Sequence, residues 1–343
     1  MSVAAIVLAA GKGTRMKSDL PKPLHEIRGR SLLSWVVHAI QEAEVDDIVI
    51  VVGHGRELVV ESLASGFDRE FYFAEQLSQR GTGDAAAVGL AELDLHDTGY
   101  NDDDHVLVVP GDTPLLTTET VAALVHEHCA QGAAATIVTA IVDDPTGYGR
   151  IQRSTGGGID SIVEHRDASQ EQLAINEING GMYCFRRSLL APALRLISSD
   201  NSQGEMYLTD AIGVLAEAGH AVMPFVADPV EISGVNDRSQ LGAASAHLAD
   251  RIAQRHMRSG VTIVQPASTV IEADVVIAPD VIIRPSTVIE GASTIGAGAA
   301  IGPHSHLVDA TIGERAVVTS SVVQGANVAD DEVVGPFANV HSQ

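Results

Sequence analysis

The stretch VAAIVLAAGKGTRM at residues 3–16 sets the fold of the first part of the chain. Residues 3–9 form a short continuous apolar run, which is typical of a strand buried on both faces of a parallel sheet. A glycine-rich loop follows at residues 11–23. Glycines let backbone N–H groups approach an anion closely, so the strand and its loop predict a phosphate site.

Charge is distributed unevenly along the chain. The 343 residues carry 45 acidic against 21 basic side chains, a formal net charge of −24. Eighteen of the basic residues are arginines, and the three lysines, Lys12, Lys17 and Lys22, all lie in the glycine-rich loop. This pattern favours an anion in that loop. It disfavours binding to nucleic acid or to an anionic membrane, because both require clustered cations over a wide surface.

Composition predicts a globular protein of about two domains, since 45% of the residues are hydrophobic and 19% are charged. The two cysteines, Cys129 and Cys184, are too few for a disulfide framework or a cysteine zinc site. No basic segment precedes an apolar core at the amino terminus, and no apolar run is long enough for a membrane span. We therefore expect a cytoplasmic protein.

Strand and helix patterns alternate over the first part of the chain, which predicts a mainly parallel sheet with right-handed crossovers. Beyond residue 133 the pattern changes to strands with glycine-rich turns and predicts a mixed extension of that sheet. The acidic run at residues 101–104 is interpreted as a solvated loop. The expected strands are residues 3–9, 47–52, 70–73 and 105–109, and the expected helices are 31–43, 56–64, 84–93 and 238–258.

After Gly260 the chain acquires a six-residue period. Seven aliphatic residues from Ile271 to Leu307 occur at an unbroken spacing of six, and Val322, Val328, Val334 and Val340 resume it after a slip. Neither a helix nor an ordinary strand has this period, and chance alternation in a β-sandwich explains it poorly. It predicts a short parallel β-helix of hexapeptide repeats, in which one aliphatic residue per repeat fills the inner stack.

Three charged residues point to chemistry at or near the glycine-rich loop. Arg15 and Lys22 can give charge-assisted hydrogen bonds to a polyphosphate, although the loop is neither a P-loop nor a dinucleotide fingerprint. Asp112 directly follows an apolar strand, where ligands bind in open α/β sheets. Its residue type and position leave two interpretations open, a metal ligand or a cap for the turn at residues 113–118.

The blocks LAAGKGTRM at 8–16 and SDLPKPLH at 18–25 resemble the sugar-1-phosphate nucleotidyltransferases. The resemblance is strongest to the bacterial bifunctional family that combines N-acetylglucosamine-1-phosphate uridylyltransferase with glucosamine-1-phosphate acetyltransferase, and it covers essentially the whole chain. Further blocks match in order: QxxQxGTG at 76–83, GDTPL at 111–115, DPTGYGRI at 144–151, IVEH at 162–165, EIN at 177–179, QGE at 203–205 and GVN at 234–236.

The resemblance implies an α/β fold with a Rossmann-like nucleotidyltransferase domain at residues 1–236. That domain has a mixed, mainly parallel sheet. A linker helix at 237–260 and a short left-handed parallel β-helix at 261–343 follow. The implied reaction joins UTP to N-acetylglucosamine 1-phosphate, releases pyrophosphate and uses Mg²⁺. Because the sugar phosphate is already an anionic nucleophile, we expect positioning and electrostatics to dominate catalysis.

The resemblance also implies a role for individual residues. It puts Arg15 on the departing phosphates and Lys22 near the reacting ones, and both are predicted to be catalytic. The implied nucleotide-binding residues are Leu8, Ala9, Ala10, Gly11, Gly13, Lys22, Gln76, Gly81, Thr82 and Gly111. The implied sugar-binding residues are Gly149, Glu164, Asn179, Glu205 and Tyr207. The implied metal ligands are Asp112 and Asn236.

In the resembled family the β-helix forms a trimer and carries the acetyl-CoA-dependent activity, mostly through residues later than this sequence reaches. The family's segment Pro-Phe-Ala-Arg-x-Arg is replaced here by PFANVH at 336–341, without either arginine. Residues 261–343 hold two cations and nine acidic residues, which suits the phosphates of CoA poorly. We expect no acetyltransferase activity, and a β-helix that serves a homotrimer.

Two alternatives stay open. A relative with the same loop could use another nucleotide or sugar phosphate, and a non-catalytic trimeric scaffold could have kept the fold. Pro110, just before Gly111 and Asp112, departs from a tyrosine found in some family members. Proline offers neither a hydroxyl nor an N–H group, so any phosphate contact there must use its carbonyl.

Overall fold

The computed structural model describes residues 2–43, 45–96, 101 and 104–342. The chain forms two compact units, one comprising Met1–His25 and Ser31–Gln240 and the other Glu26–Arg30 and Leu241–Gln343. The domain limits predicted at residues 236 and 260 stay a prediction. Asp102 and Asp103, the middle of the predicted acidic loop, lie outside the described residues.

The part of the chain before residue 230 alternates strands and helices, as its sequence pattern predicts. Its strands are β1 (Val3–Leu8), β2 (Glu26–Ile27), β3 (Arg30–Ser31), β4 (Asp47–Val52), β5 (Tyr72–Glu75), β6 (His105–Pro110), β7 (Ala135–Ile141), β8 (Arg150–Arg153), β9 (Ile159–Val163), β10 (Glu177–Arg186) and β11 (Val222–Val226). Its helices are α1 (Leu32–Glu42), α2 (Arg56–Gly66), α3 (Thr82–His96), α4 (Thr118–Gln131), α5 (Gln170–Leu173), α6 (Arg187–Leu196) and α7 (Asp210–Glu217). Helix α8 (Arg238–Arg258) follows, with the predicted bounds.

A mixed sheet forms the centre of the first unit. Within the described residues it has nine strands in the order β11-β7-β10-β6-β1-β4-β5, with β8 and β9 attached through β10. Strands β5, β4, β1 and β6 are parallel. Strand β10 runs antiparallel to β6 and β7, which makes the extension mixed. The predicted Rossmann-like architecture is confirmed.

Local sequence explains how individual elements begin and end. Helix α1 starts after Ser31, whose side chain accepts a hydrogen bond from the Ser34 N–H at 3.0 Å and so caps the first turn. Strand β5 lies two residues later than predicted, at Tyr72–Glu75, because its register is set by pairing with Val49–Val52 of β4. Tertiary pairing, which the local pattern does not contain, therefore decides this boundary.

Four parallel strands end at one edge of the sheet. Leu8 of β1 lies opposite Pro110 of β6, and Val52 of β4 lies opposite Glu75 of β5. The next residues continue this alignment, since the Gly111 N–H donates to Leu8 at 2.9 Å and the Gln76 N–H donates to Val52 at 2.8 Å. Ligands of open α/β sheets bind at such an edge.

The second unit is a parallel β-helix. Its strands are β12 (Thr262–Ile263), β13 (Val270–Ile271), β14 (Val276–Ile277), β15 (Ile282–Ile283), β16 (Val288–Glu290), β17 (Thr294–Ile295), β18 (Ala300–Ile301), β19 (His306–Val308), β20 (Thr311–Ile312), β21 (Val317–Val318), β22 (Val322–Gln324), β23 (Asn327–Val328), β24 (Val333–Val334) and β25 (Asn339–His341). Every third strand joins the same sheet, so the described strands form three stacked sheets of five, five and four.

The predicted inner stack is confirmed as far as Leu307, because the seven aliphatic residues from Ile271 to Leu307 are at most 7% exposed. The prediction is wrong at Val322, which is 37% exposed, while Val323 is fully buried. Val323 pairs with Leu307, so this coil holds 16 residues, whereas Ile289 and Leu307 are 18 apart. The coils shorten at their corners and the inward side chain shifts by one position.

None of the helices within the described residues combines the length and the apolarity needed to cross a membrane.

Candidate active site

A cavity of about 490 Å³ opens at the edge of the sheet where β1, β4, β5 and β6 end. It has the size and position typical of a small-molecule site. The predicted residues that line it are Leu8, Ala9, Ala10, Gly11, Lys22, Gln76, Gly81, Thr82, Gly111, Asp112, Glu164, Asn179 and Glu205. The structure therefore brings candidates from all three predicted groups, nucleotide, sugar and metal, around one cavity.

Five predicted residues lie outside this lining. Asn236 contacts Arg15 and the lining residue Lys22. Gly149 lies next to Asn179, and its carbonyl accepts from the Asn179 N–H at 2.9 Å. Gly13 has a φ of +59°, and an added Cβ would lie 2.5 Å from Cβ of Lys22. Gly13 thus allows Lys22 to pack against the loop. Tyr207 does not line the cavity, so its predicted sugar contact stays a prediction.

Cations and oxygens meet at one end of the cavity. The Lys22 Nζ group donates to Oδ2 of Asp112 and, at 2.8 Å, to Oδ1 of Asn236. The Arg15 guanidinium donates to the same Asn236 oxygen at 2.8 Å. The side chains of Lys22 and Asp112 are only 12% and 26% exposed. One ammonium group therefore lies between the two predicted metal ligands.

Backbone contacts hold these two ligands near each other. The Val235 N–H donates to the Asp112 carbonyl at 2.8 Å, which fixes the loop carrying Asn236 beside the end of β6. Thr113 closes the turn after β6 by donating its hydroxyl to the Pro110 carbonyl at 3.0 Å. The carboxylate of Asp112 contacts Lys22 instead of capping that turn, and its role as a metal ligand stays a prediction.

The donor set fits a magnesium ion. A carboxylate oxygen and an amide oxygen converge on one position that a cationic group already occupies, and Mg²⁺ prefers oxygen ligands in small numbers with phosphates and waters completing the shell. No group of three or more His, Cys, Asp or Glu side chains in the described part of the chain could hold a metal ion. Asp112 and Asn236 stay the predicted protein ligands.

At another end of the cavity the Gln76 side chain is buried, with 6% of the residue exposed. Its amide nitrogen donates to the Gly81 carbonyl at 3.1 Å and to Oδ2 of Asp84 at 2.8 Å. Gly81 has a φ of +111°, and an added Cβ would lie 2.8 Å from the Met206 nitrogen. Gly81 is thus required by a close approach of two backbones.

The predicted sugar-binding residues form a third group. Oε1 of Glu164 accepts from the Thr209 hydroxyl at 3.1 Å, and burial raises the pKa of the Glu164 carboxyl above its ordinary value. The Asn179 amide donates to the Tyr183 hydroxyl at 2.7 Å. Its oxygen accepts from the Gly181 N–H at 3.0 Å. Acidic and amide groups fixed in this way can bind sugar hydroxyl and amide groups.

Three residues at or next to this cavity are not predicted from the sequence. Tyr183 and Thr209 line it and contact predicted sugar residues, while Asp84 holds Gln76. Thr209 lies close to the QGE block, which is a usable signal. Asp84 and Tyr183 look like ordinary helix and strand residues, and their importance comes only from tertiary contacts.

Comparison with known proteins shows the family to which this chain belongs. The family model of the MobA-like NTP transferase domain matches residues 5–211. The bifunctional protein GlmU of Streptomyces avermitilis is 48% identical over 98% of this chain and 69% of its own length. The GlmU proteins of Caldanaerobacter subterraneus subsp. tengcongensis and Clostridium beijerinckii are 42% and 44% identical over 99% of the chain and 72% of their own lengths. The chain therefore belongs to the GlmU family, within the MobA-like NTP transferases, and is a sugar-1-phosphate uridylyltransferase.

Proposed function

We propose that this chain forms UDP-N-acetylglucosamine and pyrophosphate from UTP and N-acetylglucosamine 1-phosphate. It would do so in the cytoplasm and supply a precursor for cell-envelope polymers. The observation that supports this proposal best is the single cavity in which the glycine-rich loop, the Lys22 cluster and the Glu164 group meet. A nucleotide, its phosphates and a sugar phosphate need these three environments side by side.

The reaction needs charge neutralisation more than a base. A sugar-phosphate oxygen forms a bond to the α-phosphorus of UTP, and the bond from that phosphorus to the oxygen bridging to the β-phosphate breaks. The electron pair leaves with pyrophosphate. Lys22 and Arg15 would draw the two anionic substrates together and stabilise the charge that develops on the leaving group.

Asp112 and Asn236 would hold the magnesium ion, which supplies charge neutralisation for the phosphates when it is bound. In the structure Lys22 contacts both oxygens, so it would have to move toward the phosphates when the metal enters. Lys22 would in this way hold Asp112 and Asn236 near each other and neutralise phosphate charge when the substrates bind.

For the sugar, we propose that Glu164 accepts hydrogen bonds from hydroxyl groups and that Asn179 binds through its amide. Tyr183 and Thr209 fix the orientation of these two side chains. Glu205 lines the same cavity, and with Tyr207 it would shape the pocket for the acetamido group. Selectivity for the acetylated sugar would come from these residues.

We also infer that the β-helix segment at 261–342 has no acetyltransferase site. Asn339 and His341 stand where the resembled family has arginines. Of the two cations in this segment, Arg315 is held by Asp331, with hydrogen bonds of 2.7 and 2.9 Å, and by Glu314 at 2.9 Å. An arginine bound by two carboxylates is poorly placed to recruit the phosphates of CoA.

We further propose that the β-helix assembles into a homotrimer. The outward positions of one of its sheets form an apolar stripe at Ile282, Ala300, Val317 and Val333, and Val333 is 69% exposed. Contact between copies of the chain would cover this stripe. Light scattering coupled to gel filtration measures the assembly, and Val333→Glu should shift it toward monomer.

One experiment tests the catalytic proposal against its alternatives. Pyrophosphate release is measured with Mg²⁺ and N-acetylglucosamine 1-phosphate, using UTP, ATP or dTTP, and then with UTP and glucosamine 1-phosphate with and without acetyl-CoA. We expect release only with UTP and the acetylated sugar. Release that depends on acetyl-CoA would contradict the inference about the β-helix, and turnover retained by a folded Asp112→Ala variant would contradict the metal assignment.

A further inference from the structure

We propose that Asp84 is a positioning residue for base selectivity. It would fix the side-chain amide of Gln76 so that an oxygen, and not an NH₂ group, faces the base of the bound nucleotide. This inference rests on the proposed use of the cavity for UTP, and it concerns why uracil is accepted in preference to cytosine.

The orientation of the Gln76 amide follows from its partners. Its nitrogen lies 3.1 Å from the Gly81 carbonyl oxygen and 2.8 Å from Oδ2 of Asp84. A carbonyl and a carboxylate can only accept hydrogen bonds, so the NH₂ group must face them and each amide hydrogen has an acceptor. The reversed amide would place its oxygen against two acceptors, which is strongly unfavourable.

Asp84 is itself fixed in place. It is 5% exposed and lies in the first turn of α3, where the helix dipole favours a negative charge. Its Oδ1 accepts from the Arg80 guanidinium at 2.6 Å while its Oδ2 accepts from Gln76. The carboxylate therefore uses one oxygen for its counter-ion and keeps the other for the glutamine.

The remaining groups at this end of the cavity form a defined pattern. The Gln76 Oε1 atom has no hydrogen-bond partner among the described residues, and Gln76 lines the cavity. Gly81 and Thr82 also line the cavity, and their backbone N–H groups likewise donate to no other group in the part of the chain described. The cavity thus offers a fixed acceptor next to backbone donors.

This pattern complements uracil and opposes cytosine. Uracil carries the O4 acceptor beside the N3–H donor, so both contacts are satisfied in the same pose. Cytosine carries an N4 amino donor beside the N3 acceptor, so both contacts are reversed. A site that fixes its hydrogen-bonding groups rejects a mismatched base because buried polar groups are left without partners.

The test changes the acceptor while keeping the shape of the side chain. Asp84→Asn lets an amide NH₂ face Gln76, so it removes the carboxylate acceptor and leaves the Gly81 carbonyl as the one remaining group that favours the original orientation. We expect the ratio of kcat/KM for UTP to that for CTP to fall by about tenfold, mainly through a higher KM for UTP. Asp94→Asn, on the same helix, is the control. This change also removes a carboxylate paired with an arginine, Arg187, but Arg187 does not line the cavity, whereas Asp84 contacts the lining residue Gln76. The UTP-to-CTP ratio of the control should therefore equal that of the wild type.

Two results would overturn the inference. An unchanged UTP-to-CTP ratio in a folded Asp84→Asn variant refutes it, and so does an equal loss with both nucleotides, since that is what a merely structural role of Asp84 predicts. Calorimetric binding of UDP and CDP to the same variants repeats the comparison without catalysis. If the wild-type enzyme itself releases no pyrophosphate from UTP, the proposed function fails, which is a different outcome.

Discussion

Replacing Lys22 by methionine separates two roles that the structure combines in one side chain. Lys22 contacts both proposed metal ligands, Asp112 and Asn236. A divalent cation that binds these oxygens must first displace the ammonium group. We therefore expect Lys22→Met to strengthen metal binding to the nucleotide-free enzyme while it weakens catalysis.

The size of the effect follows from the contacts that the metal displaces. A hydrogen bond involving a charged group contributes about 1.5–3 kcal/mol, and Lys22 makes two, with its side chain 12% exposed. Part of this energy is regained when the ammonium group is solvated, which leaves about 1.5–3 kcal/mol, a tenfold to hundredfold gain in metal affinity. Loss of the same cation from the transition state should lower kcat by about a hundredfold or more.

The assay uses Mn²⁺ as the probe, because electron paramagnetic resonance reports the free hydrated ion directly. Titration of nucleotide-free wild type, Lys22→Met and Lys17→Met gives the three affinities. Lys17 carries the same charge in the same loop, but its side chain is exposed. The Lys17→Met variant therefore controls for the effect on metal binding of removing one positive charge from this loop. Metal affinity that is unchanged or weaker in a folded Lys22→Met variant would refute the displacement argument.

Further changes test the fold and the site. Gly81→Ala should lower kcat/KM for UTP by at least about tenfold, because its Cβ would meet the Met206 backbone at a φ of +111°; steady-state kinetics measures this, and wild-type kinetics would contradict it. Glu164→Gln should raise the KM of the sugar phosphate about tenfold. Burial raises the pKa of Glu164, so the folded protein binds the carboxyl proton more tightly than the unfolded chain does. The Glu164→Gln variant should therefore be more stable than wild type at neutral pH and lose that advantage as the pH falls toward 4.5. Denaturant unfolding of both proteins at the two pH values measures this difference. Burial and the neighbouring histidine lower the pKa of His128 from 6.5 to about 3. The free energy of unfolding should therefore fall by several kcal/mol, at about 1.4 kcal/mol per pH unit, as the pH drops through that range. His128→Asn should make the free energy of unfolding depend less steeply on pH. Ile289→Ala, at a fully buried position, should destabilise the β-helix by about 2–5 kcal/mol in thermal or denaturant melts.

The sequence predicts those parts of the fold whose signal is local or periodic. The buried run before Gly11 and the six-residue period specify the sheet and the β-helix, because burial leaves few other arrangements for such patterns. The shift from Val322 to Val323 was not predictable in the same way. A shorter corner moves the inward-facing position by one residue along the chain. A period counted along the sequence does not show how many residues each corner contains.

The candidate site likewise has parts that the sequence predicts and parts that it does not. Residue blocks carried by the resemblance identify lining residues such as Gln76 and Asp112, since their positions follow the ends of strands. The contacts that orient them come from elsewhere, as with Asp84 on α3 and Val235 before Asn236. The local sequence pattern does not show that the Asp84 carboxylate binds the Gln76 amide, because this contact forms only when the helix packs against the end of the strand.

The stacking of the β-helix determines which insertions and deletions this part of the chain can accept. Three repeats complete one turn around its axis, and Val270 and Val288, 18 residues apart, stack directly. A duplication of one full turn would lengthen the β-helix by about 4.8 Å and leave every later side chain on its original face. A duplication of six residues would rotate all later faces by a third of a turn and move any binding surface they carry. The spacing of stacked residues falls from 18 to 17 between Thr294 and Thr311 and to 16 between Leu307 and Val323, while the strands stay paired, so the corners absorb the changes in length.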